Sequence, residues 1–414
     1  MSNFSRPSRR DEFDTAIICA LRLEFDAVAF LFDEFWDTDG NSYGKVPGDG
    51  NTYMAGRIGN RNVVLVLPGM GKVNAASAAA NIITSYNRVQ LALVVGICGG
   101  VPYKNDGTDI FLGDVIISES SIQHDFGRLY PDGHERKEGL LDNLGKPSRE
   151  IITFVKTLQT KIYLERLLTR AVRHLDTFQH PPNIREGSVL EANSPSKYEY
   201  PGMAKDKLFE PTYPHKHHQG CSTCSQGMSA CQQSRELSCS ELHCDEAHLE
   251  RQRIPGIGEA WKLVVHFGPI ASGDSVIKSA EDRDKRAKEM KAIAFEMAGA
   301  GVWDTLPCII VKSVCDYAYS HKNEEWQNFA AATAASAARA LLELHTPPDK
   351  SLPPIAKRSD VPLIEGNATR DTSRQSNRIN AASGGIIGNN ATGNSQQENI
   401  IGPVSPDSGP CVIL

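Results

Sequence analysis

Leu91-Ala-Leu-Val-Val-Gly-Ile-Cys-Gly-Gly100 opens with five consecutive apolar residues and closes on glycines. An unbroken rather than alternating apolar run indicates a strand covered on both faces, and glycines at its end indicate a tight turn or a close ligand contact. Working outward, similar short runs rich in branched side chains lie at 15–20, 63–67, 115–117 and 309–314. Helical patterns lie between them: an Ala-rich stretch from Lys72 to Tyr86, and one from Ser148 to Leu175 with Ile151, Val155, Leu158 and Ile162 at helical spacing. A final helix is expected to start at Asn323 as cap, with Glu324 and Glu325 in its first turn, and to end near Leu344. Buried strands alternating with helices imply an α/β fold with a mostly parallel sheet covered on both sides, a three-layer sandwich.

The 414 residues are 40% hydrophobic, which excludes a fibrous or wholly disordered chain. Against 44 basic residues stand 50 acidic ones, and a net charge of -6 provides no basic field for polyanions, so nucleic acid is not an expected partner. No apolar run approaches the roughly 20 residues that span a bilayer. Arg6, Arg9 and Arg10 have no apolar stretch behind them, so a secretory signal is not expected and the expected compartment is the cytosol. There, ten cysteines are more often core residues, ligands or nucleophiles than disulfides. Two segments fall outside the α/β pattern. Residues 181–260 hold few apolar periodic runs but five cysteines and five histidines, and read as one long insertion. From Pro347 onward no Phe, Tyr or Trp occurs, and the last 68 residues have too little apolar area to offset chain entropy, so a tail disordered on its own is expected.

Open α/β sheets hold ligands at strand ends, and four clusters fall there. Glu24 follows the first strand, either as the solvated first turn of a helix or as a functional carboxylate. Pro68-Gly69-Met70-Gly71-Lys72-Val73-Asn74 opens the Ala-rich helix, where glycines let a ligand approach backbone amides. It is no nucleotide P-loop, because Val73 stands where a magnesium-binding hydroxyl is needed and the upstream glycine is missing. Gly96-Ile97-Cys98-Gly99-Gly100 is the third cluster. The fourth combines Ser272-Gly273-Asp274, Phe295-Glu296-Met297-Ala298-Gly299 and Ser313-Val314-Cys315-Asp316-Tyr317-Ala318. Asp316 is a candidate general acid or, equally, a cap of the next turn.

The order and spacing of these clusters, with Leu112-Gly113-Asp114-Val115, closely resemble the nucleoside phosphorylase and nucleosidase superfamily over about residues 13–346. Asp316-Tyr317-Ala318 with Ser320-His321-Lys322-Asn323 and Trp326 resembles its fungal branch, found in multidomain immune-type proteins. The resemblance implies a mixed, mostly parallel sheet and loss of a base through an oxocarbenium-like transition state. Phosphorylases grip phosphate at positions that look like Val94 and Ile97 here, and neither side chain binds an anion. Glu24 matches a water-activating carboxylate, Asp316 the acid that protonates purine N7, and Ser275, Val276 and Ile277 a purine-contacting segment. Met70 and Met297 pack on the ribose, and Gly71, Gly99 and Glu296 complete the implied site. One position departs: the family's Glu-Met-Glu reads Glu296-Met297-Ala298, so the carboxylate that grips the ribose hydroxyls is absent. Losing such a bond costs about 1.5–3 kcal/mol. The implied activity is hydrolytic release of a purine from a nucleoside or nucleotide, with no cofactor required, as an effector in fungal self-recognition or defence. Its alternatives are phosphorolysis or a non-catalytic nucleoside sensor or scaffold. Relatives are homo-oligomers, which is the expectation here too.

Cys221-Ser-Thr-Cys224 has the spacing of a zinc knuckle, with Cys231, Cys239, His243, Cys244 and His215 to His218 nearby, so the insertion reads either as a structural zinc site or as a metal-free loop. In the tail, Ile-Ile-Gly recurs within 384–402 among Asn and Gln, similar to fungal amyloid signalling motifs, with a flexible linker as the alternative. Cys411-Val-Ile-Leu414 fits a prenylation box whose Leu favours geranylgeranyl, and one lipid without basic neighbours anchors only weakly to a membrane.

Overall fold

The computed structural model describes residues 5–347 except 39, 41, 132, 140, 181–194, 226–229, 254–260 and 323, together with the backbone of four strands beyond. The first half of the core runs β1 (Thr15–Ile18), α1 (Arg22–Phe30), β2 (Glu34–Phe35), β3 (Tyr53–Ile58), β4 (Arg61–Val66), α2 (Lys72–Ser85), β5 (Leu91–Gly100) and β6 (Val115–Gln123). A hairpin β7 (Gly127–Tyr130) and β8 (Gly133–Arg136) and helices α3 (Arg149–Leu158) and α4 (Lys161–Gln179) follow. The insertion contributes β9 (Lys207–Phe209), the one-turn α5 (Ser222–Ser225) and β10 (Leu249–Gln252). The core resumes with β11 (Val265–Ser272), α6 (Ala280–Met290), β12 (Ala294–Glu296), α7 (Gly299–Trp303), β13 (Cys308–Asp316) and α8 (Gln327–Leu344).

Nine strands form one mixed sheet in the order β12-β11-β6-β13-β5-β1-β4-β3-β2. The central pairs β13–β5, β5–β1 and β1–β4 are parallel, while β13–β6 and β4–β3 run antiparallel. At its end β5 also pairs antiparallel with β12, Phe295 opposite Gly99, so the glycine end of the central strand is enclosed. All nine residues of β13 are buried, Lys312, Ser313 and Asp316 included, as a strand between helical layers requires. Helix α8 packs on β5 and β13 and is itself flanked by α1 and α4, while α2 packs against α7. Alanine makes this arrangement possible: eight alanines of α8 are buried, and their small side chains let the helix approach the sheet closely.

Three boundaries differ from the sequence expectation. The stretch 148–175 is two helices, because Thr160 caps a new one and its hydroxyl bonds back to the Thr157 carbonyl at 2.7 Å. The break resets the helical phase, so Ile162 is 63% exposed while Leu167, Ala171 and Leu175 face the core. The final helix begins at Gln327 behind a fully buried Trp326, and the expected cap Asn323 lies outside the described residues. Strands β3, β11 and β12 carry polar residues or glycines that hide them from an apolar-run criterion.

The insertion packs against the segment after β13. Tyr317 hydroxyl donates to Asp206 at 2.5 Å and accepts from Arg251 at 2.9 Å, while Leu208 and Phe209 join the core. Residues 347–414 form a separate unit. In this stretch, expected to be disordered on its own, β14 (Ile364–Thr369) pairs in parallel with β16 (Ile386–Ala391), and β15 (Arg374–Ile379) with β17 (Gln396–Ile401). Each pair joins residues 22 positions apart, as Ile364 with Ile386 and Asn377 with Asn399. Cys411 lies outside the described residues. Among the described residues no helix is long and apolar enough to cross a membrane.

Burial pushes the Asp206 carboxyl up to about 6, against the hydrogen bonds from Tyr317 and Leu112 and the charge of Arg251. A carboxyl whose folded pKa lies above its unfolded value of about 3.9 stabilises the fold most at low pH, and that contribution is lost as pH rises through about 6. Relative to Asp206→Asn, the native chain should therefore lose on the order of 3 kcal/mol between pH 4 and 7. Urea unfolding of both chains across that range checks it; parallel curves would reject the assignment.

Candidate active site

Glu24 sits three residues into α1, where a carboxylate caps the first turn. One of its oxygens accepts the Ala20 and Leu21 amides at 2.8 Å each, and the other accepts the Ile97 amide of β5 at 2.8 Å. The capping role is present, yet the residue is only 2% exposed rather than solvated. Of the roughly four acceptor sites on a carboxylate, about one remains for another partner. Gly96 makes this geometry possible: a Cβ there would collide with the Glu24 carboxylate.

Beneath Glu24 lies Lys312, a lone cation in the apolar strand β13. Its ammonium stands 3.8 Å from Glu24 Oε1 and 3.8 Å from Glu296 Oε2, with all three side chains at or below 2% exposure. Burial alone drives an ammonium toward its neutral form; the charges of Glu24 and Glu296 outweigh it, and Lys312 is held above the ordinary lysine pKa. Glu296 is further anchored by the Ala298 and Gly299 amides at 2.9 and 2.8 Å. Burial pushes the Cys98 and Cys315 thiols up, so both are protonated near neutrality and neither is an activated nucleophile.

Asp316 ends β13 in register with Gly99, where a Cβ would stand 3.1 Å from the Asp316 carboxylate and 2.8 Å from Ala318 Cβ. Its Oδ1 accepts the Ala318 amide at 2.7 Å, so the capping role is present here too, while Lys322 approaches Oδ2 at 3.4 Å. Ala318 has φ 49°, a left-handed conformation that costs a residue with a side chain about 1–2 kcal/mol and turns the chain sharply behind Asp316. The two glycines that make room for the carboxylates are three residues apart on one extended strand, about 10 Å.

Between them opens a cavity of about 330 Å3. Glu24 and Asp316 both line it, with Met70, Ile97, Gly99, Ser275, Val276, Ile277, Glu296 and Met297. Gly71 is not among the lining residues. The amide end of α2 that was expected to receive a ligand is occupied by the chain itself: the Lys72 amide donates to Asp274 at 2.8 Å, and Lys72 Nζ bonds Asp125 at 2.7 Å. Val94 is buried within the sheet and does not reach the cavity. Ala298 does line it, contributing a methyl where a carboxylate was expected. Sequence reasoning missed Lys312 and Lys322, both lining residues. A lysine interrupting Cys308-Ile-Ile-Val-Lys-Ser-Val-Cys-Asp316 was the available signal, since a buried cation demands buried carboxylates. Cys221 and Cys224 lie outside the cavity, beside His217 and Cys231.

Gly96→Ala should destabilise the chain by about 1–3 kcal/mol by displacing Glu24, as overpacking generally does. Gly50→Ala, with open space around it and no left-handed backbone, is the control. Chemical denaturation of both decides; equal stabilities would refute the close approach.

The family model described as the phosphorylase superfamily matches residues 14–345. Over 350 residues the chain is 30% identical to a nucleotide-binding leucine-rich repeat (NLR)-like protein of Hyaloscypha variabilis, a match covering 83% of this chain and 30% of that protein. It therefore spans less than a third of that relative's length. It is 21% identical to the 5'-methylthioadenosine/S-adenosylhomocysteine nucleosidase of Mycobacterium bovis, covering 79% of this chain and 95% of the other. Among solved structures, the corresponding nucleosidase of Neisseria meningitidis in complex with methylthio-immucillin-A aligns with 80% of this chain and 98% of its own, at 18% identity and a TM-score of 0.45.

Proposed function

The chain belongs to the phosphorylase superfamily, and from that premise we propose that it hydrolyses the N-glycosidic bond of a purine nucleoside or nucleotide. The observation that carries this reading is the pair of buried carboxylates, Glu24 and Asp316, on the wall of one sugar-sized cavity. Glu24 keeps one acceptor site for a water, takes its proton as the water attacks C1′, and is itself oriented by three backbone amides. Asp316 delivers a proton to purine N7, so the base leaves neutral. Ser275, Val276 and Ile277 face the base, and Met70 and Met297 cover the ribose.

Charge favours water over phosphate. The lining residues include three carboxylates and two lysines. Lys312 is committed to Glu24 and Glu296, and Lys322 approaches Asp316. That leaves no unpaired cation among the lining residues for an incoming dianion, and Ile97 adds no donor side chain. A second reading, a nucleoside-sensing module without turnover, is favoured by Ala298, which presents no carboxylate to the ribose hydroxyls. We further propose a place for either activity in self-recognition or defence, the role that the likeness to the fungal branch implies. For the tail we propose self-stacking, supported by the constant 22-residue parallel register.

Incubating the purified chain with adenosine, inosine, methylthioadenosine and ATP, with and without phosphate, should release free base and free sugar equally in both conditions. Glu24→Gln and Asp316→Asn should each lower kcat at least 100-fold, and Ala298→Glu should raise kcat/KM about 10-fold or more, the value of one charged hydrogen bond. Sugar phosphate formed only with phosphate would overturn hydrolysis. Absence of base release from both the native chain and Ala298→Glu would leave the sensing module as the reading. For the tail, aged full-length chain should give fibres with a reflection near 4.7 Å that a chain ending at 346 does not form; identical behaviour of the two would reject stacking.

A further inference from the structure

Outside the cavity, the insertion gathers two sets of four soft ligands. His217, Cys221, Cys224 and Cys231 form one; His215, Cys239, Cys244 and His321 form the other, and within each set the ligand atoms lie within 4.8 Å of one another. Seven of the eight ligands, from His215 to Cys244, belong to the insertion, but His321 belongs to the core segment that follows Asp316.

Distances separate a metal site from a hydrogen-bonded cluster. A tetrahedral zinc with bonds of about 2.3 Å to sulfur and 2.05 Å to nitrogen places S and N about 3.6 Å apart. His215 Nδ1 stands 3.7 Å from Cys239 Sγ and 3.8 Å from Cys244 Sγ, and His321 Nδ1 stands 3.6 Å from Cys239 Sγ. In the other set His217 Nδ1 is 3.7 and 3.5 Å from the sulfurs of Cys224 and Cys231. With its Nε2 on the Leu237 carbonyl, His215 offers one Nδ1 lone pair, which accepts one proton, so hydrogen bonding does not account for two thiols converging on it, whereas one cation does.

The imidazoles are also turned the way ligands are. His215 Nε2 faces the Leu237 carbonyl at 2.9 Å and His321 Nε2 faces that of Tyr213 at 2.8 Å. A carbonyl only accepts, so each Nε2 carries the proton and each Nδ1 lone pair points at the sulfurs, the outer-shell arrangement typical of metal-bound histidine. In the Cys3His set, the Cys231 and Ser234 amides donate to Cys224 and Cys231 sulfurs at 3.4 Å each, favouring thiolates. The described cysteines are all free, so no disulfide competes for these sulfurs among them.

We propose that the insertion binds two structural zinc ions, a Cys3His site internal to it and a Cys2His2 site completed by His321. Thiolate and imidazole donors in tetrahedral sets select zinc over the hard divalent cations. The second site has a consequence for the cavity. His321 lies five residues beyond Asp316 and next to Lys322, which touches it, so the zinc ties the acid's own loop to the insertion. This inference is independent of whether the cavity turns over a substrate.

The full-length chain, purified without chelator, should contain about two zinc ions by elemental mass spectrometry. His321→Ala should retain one, and Cys221→Ser with Cys224→Ser should retain the other. Replacing zinc by cobalt(II) should give the intense visible bands of tetrahedral thiolate coordination, a readout on the native chain that stands even where a variant fails to fold. Fewer than one zinc per chain without those bands would overturn both sites. Two zinc ions retained in His321→Ala would overturn the bridging site.

Discussion

A lysine ammonium buried between two carboxylates is the constraint from which the site follows. Moving such an ion out of water costs several kcal/mol unless partners compensate, and Lys312 has Glu24 on one side and Glu296 on the other. Each carboxylate is in turn held by backbone amides from a different part of the chain: Ala20 and Leu21 after β1, Ile97 on β5, and Ala298 and Gly299 after β12. The charges therefore lock β1, β5, β12 and β13 together at one end of the sheet. A reactive group placed there inherits the rigidity of four strands.

Space is the second half of that constraint. Strands about 4.8 Å apart leave no room for a carboxylate between neighbours unless a side chain is missing, and on β5 the missing side chains are those of Gly96 and Gly99, one beside Glu24 and one beside Asp316. The glycine motif thus accommodates the protein's own acids. Likewise the glycines before α2 serve a contact within the chain, with Asp274 taking the amide a ligand was expected to reach. An internal carboxylate at a helix amino end stabilises it in the same way as a bound anion.

Much of this is legible in the amino-acid sequence alone. Apolar runs rich in branched side chains marked β1, β4, β5, β6 and β13, because strands covered on both faces need no polar alternation. The clusters that converge on the cavity all lay at strand ends, where chain direction in a parallel sheet gathers them. Polar or short strands such as β3 and β12 were not legible, since their place depends on neighbours far away in sequence. The helix break at Thr160 hinged on one hydroxyl competing for a carbonyl. Lys312 was visible as a letter but not as a partner, for its meaning lies in Glu24, 288 positions earlier. His321 was illegible as a ligand for the same reason: spacing rules detect close cysteine pairs, not a fourth ligand from another part of the fold.

The segment after β13 shows why the insertion is part of the core. From Tyr317 to His321 the chain has no regular structure, yet Tyr317, Ala318, Tyr319 and His321 are all buried. Irregular buried backbone and phenol groups need partners from outside their own segment, and α6 supplies one, Arg283 donating to the Tyr317 carbonyl at 2.8 Å. The side chains find theirs in the insertion: Asp206 and Arg251 satisfy the Tyr317 hydroxyl, Tyr319 bonds the Lys207 carbonyl at 3.1 Å, and Phe209 stacks on His321 with ring centroids 4.4 Å apart. Without residues 206–251 those side chains would lose both solvent exclusion and hydrogen bonds, and the left-handed turn at Ala318 would be held only by its amide's bond to Asp316 and by Arg283 of α6 on the Tyr317 carbonyl. Because that turn fixes the direction in which the chain leaves Asp316, the insertion shares with α6 in setting the geometry of the cavity from outside it.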